Sequence, residues 1–186
     1  MEKKSQILLI LGLVAILFLL IATLFPFEPN RALTKSKKLQ TVNDAMGLQQ
    51  AISNFYSEFS ELPKLGSPTI TTEGPDGQTL LKVLLGTESG TSPLQNPRGI
   101  TFLPSTKANK HKSKGGLVYR DPDSRKEPEG LYDAWGSPFH VIFDHDYDNK
   151  IADPLFPGNV VLNKPAIIYS CGPDKKPGGG DDIKTW

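Results

Sequence analysis

The sequence predicts an α+β fold, in which an N-terminal helical region precedes a small antiparallel sheet. Apolar residues recur at helical spacing in the first third of the chain, whereas short β-branched and aromatic runs punctuated by turn residues dominate the last third. The 16 prolines and 17 glycines also predict short elements joined by many turns. These patterns divide the chain into segments 1–29, 30–62, 63–130 and 131–186.

Segment 1–29 contains an apolar stretch long enough to cross a membrane. Residues 7–25 include no charged side chain, and about 20 apolar residues in a helix span a bilayer core. A cleaved signal peptide is the alternative, but its apolar region has about 7–15 residues and ends at a small-x-small site. Ala22-Thr23-Leu24 matches such a site poorly. We therefore predict an uncleaved single-pass anchor preceded by a short cytoplasmic tail.

The charges that flank the anchor leave its orientation open. A short N-terminal tail is commonly retained in the cytoplasm, and long domains cross the membrane despite their charge. Counting basic residues alone would instead keep the C-terminal side inside. These residues are Lys3 and Lys4 before the stretch, and Arg31, Lys35, Lys37 and Lys38 after it.

Segment 30–62 is predicted to be an amphipathic helix. Pro26 and Pro29 interrupt any helix continuing from the anchor, Asn30 can cap a new helix, and Pro63 ends it. We expect the apolar residues at helical spacing to pack on the domain. They are Leu39, Val42, Met46, Ile52, Phe55 and Phe59.

Segment 63–130 is rich in Gly, Pro, Ser and Thr and is predicted to be a variable, largely irregular region with one short helix at 78–85. Its run at 107–114 holds four lysines but no interleaved aromatic residue, which favours a solvated loop over a nucleic-acid surface. The net charge of +1 likewise predicts no nucleic-acid partner.

Segment 131–186 is predicted to form the antiparallel sheet. Strand patterns occur at 139–143, 160–162 and 166–170, with Asp, Asn, Gly and Pro between them. After the last of these strands, a glycine-rich loop contains Asp174, Asp181 and Asp182.

The Asp/Gly loop has the composition of a calcium site. Calcium takes about six to eight oxygen ligands at roughly 2.3–2.6 Å, and glycines allow the backbone to curl around an ion. Asp174, Asp181 and Asp182 can converge in this way. The alternative is a solvated acidic turn.

A second acidic cluster comprises Asp144, Asp146 and Asp148. Compared with an EF-hand loop beginning at Asp144, it has Asn149 where glycine is required and Leu155 where a bidentate glutamate is required. These differences favour a polar hairpin tip over a calcium loop.

No arrangement of residues indicates an enzyme. His140 lies in a strand pattern and is expected to be a packed or surface strand residue. Cys171, the one cysteine, follows a predicted strand and is expected to be a small buried side chain rather than a nucleophile. His145 lies among the aspartates without the dense His/carboxylate set of a hydrolytic metal centre.

Two stretches together resemble one family. Residues 133–139 read Asp-Ala-Trp-Gly-Ser-Pro-Phe, and residues 169–186 begin Tyr-Ser-Cys-Gly-Pro-Asp and end Asp-Asp-Ile-Lys-Thr-Trp. The first resembles the Asp-Pro-Trp-Gly-Asn-Pro-Tyr segment of the G-type major pseudopilin of type II secretion systems. The second resembles that family's calcium loop and chain end. The order of the predicted elements is also similar.

The resemblance implies a pilin-like fold, a long N-terminal helix packed on a small antiparallel sheet. It implies one calcium ion at Asp174, Asp181 and Asp182, with oxygens near Ser170 and Cys171 as further ligands. It also implies a structural, non-enzymatic role in the bacterial inner membrane, with the C-terminal domain extracytoplasmic. Partners would be other pseudopilins or secretion-system components, including further copies of the chain.

The chain differs from the family near its N-terminus. Family precursors carry a glycine before the apolar run and a glutamate five residues into the mature chain, and neither is found here. We therefore expect no cleavage by a prepilin peptidase and a divergent or accessory member. The alternative is a membrane-tethered pilin-like adaptor that never enters a filament.

Overall fold

The computed structural model describes residues 6, 12, 14, 29–90, 93–103, 108–121, 123 and 127–186. The predicted anchor at 7–25, apart from Gly12 and Val14, therefore lies outside the described residues. Among those that are described, no helix has the length and apolarity needed to cross a membrane. The chain divides into two compact units, 1–35 and 36–186. All the described strands lie in the second unit.

Helix α1 spans Pro29–Phe59 and closely matches the predicted helix at 30–62. It ends because Ser60 adopts a left-handed backbone conformation with φ 55°, and Pro63 follows shortly after. The residues of its buried face recur every three or four positions, as expected for a helix packed on one side. This face consists of Thr41, Ala45, Leu48, Ala51, Ile52 and Phe55.

Two residues of the predicted apolar face point the other way. Leu39 is 62% exposed and Met46 is 57% exposed. At about 100° per residue, both lie on the side of α1 opposite Thr41 and Ala45. The prediction was wrong for these two because small residues, rather than large apolar ones, form much of the face that packs on the domain.

The strands are short and form three sheets among the described residues. The largest has four antiparallel strands in the order β1-β5-β8-β9, the second has the order β2-β3-β4, and β6 pairs with β7. This architecture confirms the predicted α+β class with small antiparallel sheets, and the one parallel pair among the described strands is β2 with β3. The strands are β1 (Thr69–Thr71), β2 (Ala108–Asn109), β3 (Gly116–Tyr119), β4 (Pro128–Tyr132), β5 (His140–Phe143), β6 (Lys150–Ala152), β7 (Val160–Leu162), β8 (Ala166–Ser170) and β9 (Ile183–Lys184).

Segment 63–130 is more regular than predicted. Besides β1 to β3 and the start of β4, it contains helix α2 (Gly74–Leu85) and a 3₁₀ turn at Lys112–Lys114. Helix α2 begins four residues before the predicted start because proline is favoured in a first helical turn, and it ends at Gly86, whose φ is 68°. The strands escaped prediction because they have only two to five residues each.

The core lies between α1, α2 and the sheets. Apolar side chains of α1 and α2 join those of β5 and β8 in one cluster that includes Leu48, Leu80, Val141 and Ile168. Polar groups fix the position of α1 on the domain: the Gln49 amide donates to the Ala166 carbonyl over 2.9 Å. The Thr41 hydroxyl accepts from the Ala134 amide over 3.1 Å.

Candidate metal centres

The turn at 133–139 is held by the fully buried Asp133. Its Oδ1 accepts hydrogen bonds from the amides of Trp135 and Ser137, over 2.8 and 2.9 Å. Its Oδ2 accepts the Ser170 hydroxyl over 2.5 Å, and the Ser170 oxygen accepts from the Gly172 amide over 3.0 Å. Asp133 therefore links this turn to the start of the C-terminal loop.

The C-terminal loop connects β8 to β9 and holds the three aspartates predicted to bind calcium. Asp181 Oδ2 accepts from the Asp174 amide over 3.3 Å, and Asp182 Oδ2 accepts from the Gly178 amide over 2.9 Å. Asp174 Oδ1 accepts from the Lys176 amide over 2.8 Å. Each carboxylate thus uses one oxygen to shape the loop and keeps the other available.

Several of the remaining oxygens in this loop lack partners. The Oδ1 atoms of Asp181 and Asp182 are buried and accept no hydrogen bond. A Cβ added to Gly179 would lie 2.7 Å from Asp174 Oδ2 and 2.8 Å from Asp181 Oδ1, so both carboxylates approach a backbone without a side chain. A buried polar group without a partner costs about 1–3 kcal/mol. A cation bound to these oxygens would remove that cost.

Cys171 lies in the middle of these charges. Burial raises the pKa of its thiol, and four neighbouring carboxylates raise this pKa further. The thiol therefore stays protonated at neutral pH, and oxygen atoms are the available ligands around it. The side chain is 5% exposed, which confirms the prediction of a buried cysteine. The four carboxylates are those of Asp182, Asp133, Asp174 and Asp181.

His140 contacts this region from the neighbouring strand β5. Its Nε2 lies 3.5 Å from Cys171 Sγ, and its ring stacks on Tyr169 with centroids 4.5 Å apart. It is half-buried, as expected for a packed strand residue. Burial lowers the pKa of His140 while it raises the pKa of Cys171. Both shifts favour the neutral pair over the thiolate–imidazolium pair of a nucleophilic cysteine.

The last residue, Trp186, is also held on the domain. Trp186 Nε1 donates to Asp153 Oδ2 over 2.9 Å, and Asp153 Oδ1 accepts from the Leu155 and Phe156 amides. Sequence patterns gave no structural role to Asp133 or Asp153, since the partners that link them to the C-terminal segment, Ser170 and Trp186, lie 37 and 33 residues away.

The second acidic cluster is tighter than the first. Asp144, Asp146 and Asp148 each offer an oxygen within 4.8 Å of the others, and they are the one such trio in the described part of the chain. Asp174, Asp181 and Asp182 do not meet this distance. Burial raises the pKa of Asp144, and the charges of Asp146 and Asp148 raise it further. Three aspartates that could bind a metal ion are therefore present, on a different loop from the predicted one.

The prediction of a hairpin tip at this cluster was wrong. The loop joins β5, in the four-stranded sheet, to β6, which pairs with β7 instead. Asn149 has φ 63°, so it adopts the left-handed conformation for which glycine is otherwise preferred.

No protein-family model, curated protein or solved structure matches the chain. The functional proposal therefore depends on the geometry of the C-terminal loop and on the sequence resemblance.

Proposed function

We propose that the chain is a membrane-anchored, pseudopilin-like structural subunit of a bacterial type II secretion or pilus-type system. Its domain has a pilin-like fold, its C-terminal loop is stabilised by calcium, and it lies outside the cytoplasm, anchored in the inner membrane by residues 7–25. It assembles with other pseudopilins, other secretion-system components or further copies of itself, and it has no catalytic activity.

The observation that best supports this proposal is the hydrogen bond from Ser170 to Asp133, at 2.5 Å. It joins, across 37 residues of sequence, the two stretches that resemble the pseudopilin family. Because β5 pairs with β8 and His140 lies opposite Tyr169, the strands bring the two stretches side by side. The hydrogen bond then fixes the turn at 133–139 to the start of the loop that holds the three aspartates.

The architecture around the loop supports the same proposal. A 31-residue helix shares a core with a four-stranded antiparallel sheet. The outer face of this helix carries Leu39 and Met46, both exposed. A helix with one face on its own domain and apolar residues on the other is suited to contact neighbouring subunits.

Calcium fits the chemistry of the C-terminal loop. The available ligands are carboxylate and backbone oxygens, because the pKa of Cys171 is raised and its thiol stays neutral. Hard divalent cations select such oxygens. Calcium also accepts irregular coordination, whereas magnesium demands near-octahedral geometry.

A thermal melt of the full-length chain with calcium or a chelator tests whether the C-terminal loop binds calcium. A ligand at 100 times its Kd adds about 2.7 kcal/mol to the free energy of unfolding, so calcium should raise Tm. Asp181→Asn/Asp182→Asn should lose the part of that rise that comes from calcium bound to this loop. Glu61→Gln/Asp123→Asn removes the same number of carboxylate charges at exposed positions elsewhere and should keep all of it. An equal rise in Asp181→Asn/Asp182→Asn would contradict the proposal.

The alternative function is a membrane-tethered adaptor with the same fold that never enters a filament. The differences from the family near the N-terminus favour it, because a family subunit uses its glutamate to set register in the filament. The two functions differ in whether copies of α1 contact one another.

A further inference from the structure

The loop between β5 and β6 concentrates negative charge that the described protein does not balance. The carboxylate oxygens of Asp144, Asp146 and Asp148 come within 4.8 Å of one another. Like charges this close repel. None of the ion pairs between described residues includes these three side chains.

The buried side chain of Asp144 gives a second observation, separate from the spacing of the three carboxylates. Its side chain lies at the base of the loop and the residue is only 6% exposed. Oδ2 accepts from the Asn149 amide over 3.0 Å, but Oδ1 is buried and has no hydrogen-bond partner. A buried carboxylate oxygen without a donor is unfavourable, and a cation held with Asp146 and Asp148 would provide the missing partner.

The backbone of the loop leaves the other ligand atoms free. The Lys150 amide donates to Asp148 Oδ1 over 2.8 Å, and the second oxygen of that carboxylate remains available. The donors are carboxylates alone, which selects a hard divalent cation over zinc or copper. The small number of protein ligands leaves positions for water, which both calcium and magnesium accept.

We propose that Asp144, Asp146 and Asp148 form a second divalent-cation site, loaded by calcium independently of the C-terminal loop. This proposal does not depend on the function proposed above. An ion here would also order Tyr147, which lies between two of the ligands. The Tyr147 hydroxyl accepts from the Leu62 amide over 3.1 Å, and its ring lies 6.1 Å from that of Tyr56. The site would therefore fasten this loop to the end of α1.

Nuclear magnetic resonance of the ¹⁵N-labelled full-length chain can follow both loops in one calcium titration. The amides of Asn149 and Lys150 donate to this site, whereas those of Lys176 and Gly178 donate to the C-terminal carboxylates. The titration should extend to about 10 mM, roughly tenfold above the weakest Kd of extracellular calcium modules.

The Asn149 and Lys150 resonances should shift saturably in the wild type. They should not shift in Asp146→Asn/Asp148→Asn, which spares the buried Asp144, while the Lys176 and Gly178 resonances still respond there. Glu61→Gln/Asp123→Asn should behave as the wild type.

Unchanged Asn149 and Lys150 resonances in the wild type would overturn the second site, whether or not the variant folds. An equal shift in Asp146→Asn/Asp148→Asn would also overturn it. If calcium leaves the Lys176 and Gly178 resonances unchanged, only the proposed calcium site in the C-terminal loop is contradicted. The failure of either site can therefore be recognised separately.

Discussion

Asp44, a half-buried residue on α1, shows how a single carboxylate can lower stability at neutral pH. Burial raises the pKa of Asp44 from 3.8 to about 6, against an opposing hydrogen bond from Gln40. One of its oxygens, Oδ2, is buried without a partner. The native state therefore holds a proton here that the unfolded state releases at lower pH. The resulting stability is present below pH 3.8 and is lost as pH rises through about 6.

Asp44→Asn should stabilise the domain at pH 7, because an amide carries no charge to desolvate. We expect a gain of about 1 kcal/mol, since one pKa unit corresponds to about 1.4 kcal/mol and partial exposure reduces the effect. Urea unfolding at pH 4, 5, 6 and 7 measures it. The exposed control Asp123→Asn should follow the wild-type curve, and a gain that does not grow between pH 4 and 7 would contradict this account.

Asp133 is the residue on which the C-terminal loop most depends. Asp133→Ala removes the acceptor of the Trp135 and Ser137 amides and of the Ser170 hydroxyl. Leaving the buried Ser170 hydroxyl and the two part-buried amides unpaired should cost about 3 kcal/mol or more. Ser170→Ala removes the link but keeps the turn, and should cost about 1–2 kcal/mol. Chemical denaturation measures both, and equal losses would show that the turn is not held by Asp133.

At this scale the sequence drew attention to the three aspartates of the C-terminal loop, but not to the residues that hold the loop in place. Asp174, Asp181 and Asp182 stand out because glycines and carboxylates adjoin in one loop. Asp133 and Asp153 act through Ser170 and Trp186, which lie 37 and 33 residues away. Such pairings depend on how the strands meet, and no local pattern reports them.

Among the elements, the 3₁₀ turn at Lys112–Lys114 is fixed to the domain by one lysine. Lys112 Nζ lies 2.5 Å from Glu73 Oε1 and 2.9 Å from Glu129 Oε1. It also lies 5.0 Å from the centre of the Tyr132 ring. The sequence predicted a solvated basic loop here, whereas this lysine connects the turn to the start of α2 and to β4.

Lys112→Met should lower stability by about 1 kcal/mol, because exposed ion pairs contribute about 0.2–1 kcal/mol each. The loss should depend on pH. The hydrogen bond from Lys112 lowers the pKa of Glu73, so this stability is present above the unfolded pKa of 4.5 and is lost as pH falls through the native value. Melting curves between pH 2 and 7 test this. Lys176→Met is the exposed control, and a loss that is the same at pH 2 and pH 7 would argue against the ion pair.

Long elements with large apolar side chains were predicted more accurately than short elements or faces made of small side chains. The bounds of α1 and the strands β5, β7 and β8 follow from clear periodic patterns. The buried face of α1 does not, because Ala45, Ala51 and Thr41 contribute little to a hydropathy pattern. The strands of segment 63–130 are short and interspersed with glycine and proline, so only their pairing with distant strands makes them regular.

For the whole molecule, the α+β class follows from the sequence because the helical and strand patterns occupy separate parts of the chain. Assembly involves several copies of the chain, and the two proposed functions differ in whether those copies contact one another through α1. If α1 contacts other subunits, the outer face marked by Leu39 and Met46 should lie at the contact. Leu162 on β7 is as exposed as Met46, both at 57%, and provides a matched position outside the helix.

Cysteine crosslinking in the membranes of cells that express the full-length chain tests the central claim most directly. Cys171 is buried and can stay in place, so single Leu39→Cys, Met46→Cys and Leu162→Cys variants each add one exposed thiol. A subunit that stacks through α1 should give disulfide-linked dimers at positions 39 and 46 in the membrane fraction and monomers at 162. Monomers at all three positions, or dimers at 162 as abundant as those at 39 and 46, would contradict the account.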